Sequence, residues 1–175
     1  TLTVLSPNNT NATVVFDGSL SSDVENDPLQ YSWIESISGP FAAGVLATNV
    51  FNVGQHTVHL VVSDGMAAST NNITFEIITP GQAVANLVSL VDDAEIERKN
   101  KHPILASLHA AVASFDRGNF QSGANQLGAF QNKVLAQVSP SDPAIADAFI
   151  RAAQAIIDSL SGSEAGPSAS RTVNV

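Results

Sequence analysis

The stretch Ser22-Asp23-Val24-Glu25-Asn26-Asp27-Pro28-Leu29-Gln30-Tyr31-Ser32-Trp33 decides the fold of this chain. Its first half is an acidic turn, and its second half is a strand in which alternate residues, Leu29, Tyr31 and Trp33, are large and apolar. Alternate residues of a strand share one face, and the only Trp and the only Tyr of the chain lie there. The stretch therefore predicts a strand that anchors a core and is entered through a turn that tightens on itself or holds a cation.

Short strands separated by turn residues lie on both sides of this stretch. The pattern predicts strands at residues 2–5, 13–16, 29–33, 45–51, where one strand or two would fit, 56–62 and 73–77. Ser38-Gly39-Pro40 breaks the chain, and Asp64-Gly65 is typical of a hairpin turn. Six or seven short strands with a turn every 8–12 residues are typical of a β-sandwich.

Residues 1–79 resemble a PKD domain, which is an immunoglobulin-like sandwich of cell-surface and secreted proteins. The residues that carry the resemblance are Phe16-Asp17-Gly18-Ser19, Ser22-Asp23, the strand segment from Asp27-Pro28 to Trp33, and the run from Gly54-Gln55-His56 to Ser63-Asp64-Gly65. The chain has Ile34-Glu35 where many members of the family have Phe-Gly-Asp-Gly after the Trp. The resemblance implies an immunoglobulin-like sandwich in an extracellular protein.

The apolar period changes from two residues to about 3.6 at Gln82, just after Thr79-Pro80-Gly81. Residues 82–160 then contain four helical stripes joined by short loops, which predicts an antiparallel bundle of about four helices. The second stripe starts after Pro103, and Asp142 before Pro143 is a typical start for the fourth helix. The stripes consist of Val84, Leu87, Val88 and Val91; Leu105, Leu108, Val112 and Phe115; Phe120, Ala124, Leu127, Val134 and Val138; and Ile145, Phe149, Ala152, Ile156 and Leu160.

Residues 83–160 resemble the FIMAH domain of bacterial extracellular proteins. The resemblance is carried by Arg117-Gly118-Asn119-Phe120, Ala124-Asn125-Gln126-Leu127, the run Phe130-Gln131-Asn132-Lys133-Val134 with Ala136-Gln137, and the last helix at 152–157. It implies no activity for this chain. Residues 161–175 are rich in Ser, Gly and Ala and predict a linker-like tail.

Charge is distributed unevenly along the chain. The 175 residues carry a net charge of −9, and residues 1–79 contain acidic residues but no Lys or Arg. A segment without basic residues cannot neutralise phosphates, so nucleic acid is a poor partner for it. The chain has no Cys, and no apolar run reaches the ~18 residues of a membrane span. Because it begins with Thr1 rather than Met, we expect it to be part of a longer protein.

Four acidic residues form the candidate metal site. Asp23, Glu25 and Asp27 lie in the loop before the Trp33 strand, and Asp64 lies in the loop after residues 56–62. These loops emerge at the same end of an immunoglobulin-like sandwich, so the carboxylates would repel one another unless a cation bridged them. Oxygen ligands favour Ca²⁺, which makes calcium the predicted cofactor. In the alternative interpretation, the aspartates cap turns through their own backbone.

Other chemistries find less support in the sequence. His56 and His59 point to opposite faces of one strand, and without Cys or a His-x-x-x-His pattern a zinc site is not predicted. There is no nucleophile elbow, no phosphate-binding Gly-rich loop, and no pair of carboxylates that would face each other across a cleft. We therefore predict no catalytic residues and no enzymatic activity.

The resemblances and the missing motifs favour a non-catalytic module of a larger bacterial protein that is secreted or displayed on the cell surface. The module would act as a spacer or bind a polysaccharide or a surface protein, beside neighbouring domains of the same protein. The alternative is an accessory fragment of an extracellular carbohydrate-active or proteolytic enzyme whose catalytic domain lies outside this chain. Most aromatic residues of the β half fall at inward positions, which leaves Phe41 as the expected exposed aromatic. One exposed aromatic is a poor platform for sugars, so the spacer role is favoured over tight carbohydrate binding.

Overall fold

The computed structural model describes residues 2–161 and 171–174. Seven strands come first and four helices follow, so the predicted order of a β region before a helical region is confirmed. The elements are β1 Leu2–Leu5, β2 Asn11–Asp17, β3 Gln30–Glu35, β4 Gly39–Ala43, β5 Leu46–Asn52, β6 Gly54–Ser63, β7 Ala68–Ile78, α1 Pro80–Asp93, α2 Arg98–Asp116, α3 Phe120–Gln137, α4 Pro143–Ser161 and β8 Arg171–Asn174.

The strands form two sheets. The larger sheet has the order β1-β7-β6-β3-β4, in which β1 runs parallel to β7 and the other neighbours are antiparallel. The smaller sheet has the order β5-β2-β8. Of the predicted linker-like tail at 161–175, residues 162–170 and 175 lie outside the described residues, whereas β8 pairs in parallel with β2 opposite residues 14–17.

The strand β4 differs from the sequence prediction, because a break was expected at Ser38-Gly39-Pro40. The strand begins at Gly39, whose φ is +86°, and Pro40 is its second residue. A proline is tolerated here because β4 is the last strand of its sheet, so one of its sides needs no ladder hydrogen bonds.

Trp33 lies at the centre of the core between the two sheets. Its side chain is 0% exposed, its Nε1 donates a hydrogen bond to the carbonyl oxygen of Gly44 at 2.8 Å, and its ring lies 5.4 Å from that of Phe16. Leu60 is its cross-strand neighbour. The predicted burial of Trp33 is therefore confirmed. The buried core residues come from both sheets: Val4, Ala12, Val14, Phe16, Trp33, Ala47, Phe51, Val58, Leu60, Phe75 and Ile77.

The helix boundaries follow local chemistry. Thr79 caps α1 with a capping box, in which its side chain accepts from the N–H of Gln82 and the Gln82 side chain accepts from the N–H of Thr79. Asp142 caps α4 as predicted, because its Oδ1 accepts from the N–H of Ile145 at 3.0 Å. The expected start of α2 after Pro103 is wrong, since the helix begins five residues earlier, at Arg98.

The N-terminal end of α2 is held by donors that precede Pro103. The N–H groups of Asn100 and Lys101 both donate to the carbonyl oxygen of Glu97, and the Lys101 ammonium donates to the carbonyl oxygen of Asp92. Pro103 is the sixth residue of the helix, so α2 lacks the one ladder hydrogen bond that an N–H at this position would donate to the carbonyl oxygen of Lys99. The other hydrogen bonds offset this loss, and the helix extends through Pro103.

The four helices share one apolar core. Each helix packs against the next, and α1 also packs against α4. Among the described residues, no helix has the length and hydrophobicity that crossing a membrane requires. The core residues are Val84, Leu87, Val91, Ile104, Leu108, Ala111, Phe115, Leu127, Phe130, Val134, Val138, Ala146, Phe149, Ala153, Ile156 and Leu160.

The β half and the helical half meet at a short junction. Thr79 alone separates the end of β7 at Ile78 from the start of α1 at Pro80. Leu5 packs against the helical core, and the side-chain Nδ2 of Asn9 donates to the carbonyl oxygen of Phe115 at 2.6 Å. The turn between β1 and β2 is therefore in direct contact with the end of α2.

Candidate functional site

A cleft lies at the end of the β half that is distant from the helices. Its volume is about 430 Å³, and it opens between the loop that follows β2 and the hairpin that joins β6 to β7. The floor is apolar, and the rim carries hydroxyl, amide and carboxylate groups. The lining residues are Leu20, Ser21, Ser22, Asp23, Leu29, Leu60, Val62, Asp64, Ala67, Ala68, Ser69 and Asn71.

Two of the four predicted metal ligands, Asp23 and Asp64, line this cleft. The structure thus brings together one carboxylate from each of the two loops that the sequence placed at the same end. Glu25 and Asp27 are not among the lining residues, and both are exposed. Of the four predicted residues, Asp23 and Asp64 are therefore the two that share the cleft.

Both aspartates also hold their own turns. The Oδ1 of Asp23 accepts from the N–H groups of Glu25 at 2.9 Å and Asp27 at 3.0 Å. The Oδ1 of Asp64 accepts from the N–H groups of Met66 and Ala67, each at 2.7 Å. The bond from Ala67 contributes most and the bond from Met66 comes second. Together they stabilise the ionised carboxylate and hold the pKa of Asp64 below its ordinary value of 3.8. In both residues, the hydrogen bonds to the turn use Oδ1.

Among the described residues, no group of three or more His, Cys, Asp or Glu side chains is arranged to hold a metal ion. Calcium binding at Asp23, Glu25, Asp27 and Asp64 stays a prediction, with Asp23 and Asp64 as the pair that shares a cleft. Two carboxylates are few for Ca²⁺, which takes six to eight oxygen ligands in proteins. A site of this kind would have a Kd of about 1 mM, in the range of extracellular calcium modules.

We expect Ca²⁺ at about 10 mM to stabilise the native chain by about 1.4 kcal/mol, since a ligand that binds the folded state alone stabilises it by mass action. Asp64→Asn should abolish the resulting rise in melting temperature, because asparagine keeps the Oδ1 acceptor of the turn and loses the charge. Glu76→Gln, at an exposed glutamate outside the four predicted ligands, serves as the control and should keep the rise. Thermal unfolding in Ca²⁺ and in chelator measures the effect. Identical melting temperatures would contradict calcium binding and favour the interpretation in which the aspartates only cap their turns.

Three large apolar side chains project from the loops around the cleft. Leu20 is 74% exposed, Val24 91% and Met66 94%. Leu20 and Val24 belong to the loop after β2, and Met66 lies at the tip of the β6–β7 hairpin. The periodicity of strands and helices does not identify this apolar collar, made of Leu20, Val24 and Met66, because it assigns apolar residues to cores. The sequence feature that could have identified these three residues is their position inside turn segments, outside any predicted strand or helix.

A second polar cluster lies on the inner face of the larger sheet, near its other end. Glu35 follows Trp33 by two residues, so the alternation of β3 turns its side chain inward, where it is buried. Its Oε1 lies 2.8 Å from Nδ1 of His56, and the Ser38 hydroxyl donates to its Oε2. The Nε2 of His56 lies 2.8 Å from the carbonyl oxygen of Asn52. Both imidazole nitrogens therefore face acceptors, and the Ser38 hydroxyl contacts the carboxylate rather than the imidazole.

The hydrogen bonds from Ser38 and then from His56 hold the pKa of Glu35 below its ordinary value of 4.5. Ionised Glu35 therefore stabilises the native state above about pH 4.5, and this stabilisation is lost as the pH falls through the lower pKa of the folded state. We expect Glu35→Gln to cost about 1.5–3 kcal/mol at neutral pH, the usual contribution of a hydrogen bond to a charged group. The same substitution should flatten the fall of the stability curve as the pH drops below about 4.5.

Urea unfolding at a series of pH values measures this dependence. Glu76→Gln is the matched control, because Glu76 is an exposed glutamate of the same sheet. An acid-limb slope in Glu35→Gln as steep as that of the unsubstituted chain would contradict the role assigned to Glu35.

A third group, on the outer face of the larger sheet, consists of Ser36, His59 and Asn72. The Ser36 hydroxyl lies 2.8 Å from Nε2 of His59, and Nδ1 of His59 lies 2.6 Å from Oδ1 of Asn72. His56 and His59 thus lie on opposite faces of β6, as predicted. The order hydroxyl, imidazole, amide is that of a nucleophile, a base and an orienting group. Catalysis by such a group also requires oxyanion donors and a substrate cavity, and none of the three residues lines the cleft at the loop end.

The prediction of an exposed Phe41 is wrong. Its side chain is partly buried against the core, with its ring 5.9 Å from those of Phe16 and Phe51. The turn residues Gly39 and Pro40 suggested a loop, whereas β4 turns Phe41 towards the core. Among the residues whose side chains the structure describes, no aromatic one lines the cleft.

Comparisons of this chain with protein families, with curated proteins and with solved structures give no match. The residues and their geometry therefore supply the whole argument for function.

Proposed function

We propose that the chain is a non-catalytic module of a larger secreted or surface protein of bacteria, in which it acts as a stiff spacer and contacts partner proteins through its loop end. In this proposal, the β half is an immunoglobulin-like β-sandwich of the PKD type. The helical half is an antiparallel four-helix bundle of the FIMAH type. The shared core between the two sheets supports the first assignment, and the packing of α1 against both α2 and α4 supports the second.

The observation that carries the spacer role is the junction between the halves. A connection of one residue, Thr79, leaves little chain to flex, and its capping box fixes the start of α1. The contacts of Leu5 with the helical core and of Asn9 with Phe115 add a second connection at a different point of the chain. Two connections at separate points restrict both bending and rotation between the halves.

The observation that favours proteins over glycans is the chemistry of the loop end. Glycan platforms usually present flat aromatic rings, because sugars stack on them. Here the aromatic rings of the β half pack in or against its core, and the exposed apolar groups of the loop end include the aliphatic Leu20 and Val24 and the thioether Met66. Exposed apolar side chains grouped at one end indicate a protein contact.

Small-angle X-ray scattering tests the spacer role. We expect the scattering curve of the chain to fit one rigid arrangement of the two halves. Insertion of Gly-Ser-Gly between Thr79 and Pro80 should raise the maximum dimension and require an ensemble of orientations, because it breaks the capping box. The control carries the same insertion between Gly65 and Met66, at the hairpin tip, and should scatter like the original chain.

Scattering from the original chain that already requires a broad ensemble would overturn the stiff-spacer role. Affinity electrophoresis against soluble polysaccharides tests the preference for protein partners. Strong retardation of the chain by any of them would show that the loop end, or another face, is a glycan site instead.

A further inference from the structure

We propose that the cleft at the loop end receives a lysine or arginine side chain of a partner protein, while the apolar collar packs against apolar residues that flank this side chain. The inference rests on the proposed function, because it names the class of partner that the module would contact. It is carried by the shape of the cleft, its charge and the exposed residues around it.

The lining of the cleft matches a side chain that is apolar along its length and charged at its end. Leu29, Leu60 and Val62 form an apolar floor, and Asp23 and Asp64 stand on the rim. Lysine and arginine bury an aliphatic stem and keep the charged head near polar groups. The volume of about 430 Å³ lies at the lower end of the range of pockets that enclose a small ligand. One long side chain with its backbone is a suitable occupant.

The negative charge of the β half favours a cation that comes from another molecule. Residues 1–97 contain no Lys or Arg, so no Lys or Arg of that segment can pair with Asp23 or Asp64. In the part of the chain whose side chains the structure describes, the ion pairs are Glu35 with His56 and Lys99 with Glu97. Neither Asp23 nor Asp64 takes part in these ion pairs. Charge complementarity of this kind selects partners and speeds association.

The apolar collar explains why a protein is preferred to a free amine. Leu20, Val24 and Met66 each leave most of their side-chain surface in water. Leu20 lines the cleft, whereas Val24 and Met66 directly follow or precede the lining residues Asp23 and Ala67 in the chain. A free amine would satisfy the carboxylates and leave this surface exposed. A polypeptide that places apolar residues next to its Lys or Arg covers the collar as well, and apolar contact around a central charged group is the usual arrangement of a binding hot spot.

The test is a titration of the ¹⁵N-labelled chain, in chelator, with the peptide acetyl-Gly-Leu-Arg-Leu-Gly-amide. We expect the backbone amide resonances of residues 20–24 and 64–69 to shift and saturate. The same peptide with citrulline in place of arginine keeps the shape and loses the charge, and it should bind about tenfold more weakly. Asp64→Asn should weaken binding of the arginine peptide by a similar factor, whereas the control Asp27→Asn should leave it unchanged.

Val24→Ser together with Met66→Ser should weaken the binding of both peptides, since it removes the apolar contacts that they share. The amide spectrum of each variant reports whether it is folded. Equal binding of the arginine and citrulline peptides would overturn the proposal, as would shifts that map outside the two loops. Shifts of the loop amides by a soluble oligosaccharide, with none by the arginine peptide, would also overturn it.

The two proposals fail in different ways. If the chain scatters as one rigid body but its loop resonances do not shift with the arginine peptide, the spacer role is supported and the cationic partner is contradicted. If the chain binds the peptide at the loops but scatters as a broad ensemble, the cationic partner is supported and the stiff-spacer role is contradicted.

Discussion

Trp33→Ala is expected to destabilise the β half by about 3–5 kcal/mol, because removal of a large aromatic side chain from a filled core leaves a cavity that its neighbours only partly collapse into. Trp33 is fully buried, packs against Phe16 and faces Leu60 across the sheet. The substitution also removes the donor to the carbonyl oxygen of Gly44. Few single changes in a domain of this size are expected to cost more.

Trp33→Phe separates the two contributions. It keeps most of the ring volume and loses the hydrogen bond to Gly44, so we expect it to cost about 1–3 kcal/mol. Val24→Ala is the control at an exposed site and should change the stability by less than about 0.5 kcal/mol. Because Trp33 is the only Trp, its fluorescence in the unsubstituted chain reports the β half, and circular dichroism follows the variants. A native emission maximum typical of an indole in water would contradict the core described here.

Gly123→Ala is expected to destabilise the helical half by about 1–3 kcal/mol, although alanine is the better helix former by about 1 kcal/mol. A Cβ atom at Gly123 would lie 2.4, 2.6 and 2.7 Å from three ring carbons of Phe115. The Phe115 ring is fully buried and contacts α3 where the glycine leaves room for it. Neither the ring nor the helix backbone can move away without disturbing the core.

Gly128→Ala provides a matched control in the same helix, because a Cβ there meets no atom within 4 Å. It should stabilise the chain by up to about 1 kcal/mol. Opposite signs at positions 123 and 128 in equilibrium unfolding are the expected result. If the clash is the cause, Phe115→Leu should relieve part of the cost of Gly123→Ala in a double-mutant cycle. Two stabilising glycine substitutions would show that Phe115 does not lie against Gly123.

The sequence predicted best where a local rule and the tertiary structure agree. The alternation that placed Trp33 inward and the cap at Asp142 depend on neighbours within a few residues, and the structure has both. Pro103 misled because proline usually interrupts a helix, whereas the hydrogen bonds of the preceding turn hold α2 together before it. The strand β4 was missed because Gly39 and Pro40 obey edge-strand rules, which require knowledge of the strand order.

The candidate site was predictable only in part. That the loops with Asp23 and Asp64 meet at one end follows from the strand order of the resembled fold. Which acidic residues line the cleft depends on the path of each loop, and the backbone hydrogen bonds of Asp23 set this path. The contacts Glu35–His56, Ser36–His59 and His59–Asn72 join residues that are 13 to 23 positions apart in the chain, so they form only once the strands have paired.

The parallel pairing of β1 with β7 has a consequence for mechanical load. The first seven strands begin with β1 and end with β7, which leads into α1, and these two strands are direct neighbours that run in the same direction. Tension applied between the start of β1 and the start of α1 pulls β1 and β7 in opposite directions, so the hydrogen bonds between residues 2–5 and 75–78 are loaded together in shear. Bonds loaded in shear must break together, whereas those of a ladder pulled from one end break one after another. The parallel pairing of β1 with β7 is therefore suited to resist tension applied across these two strands.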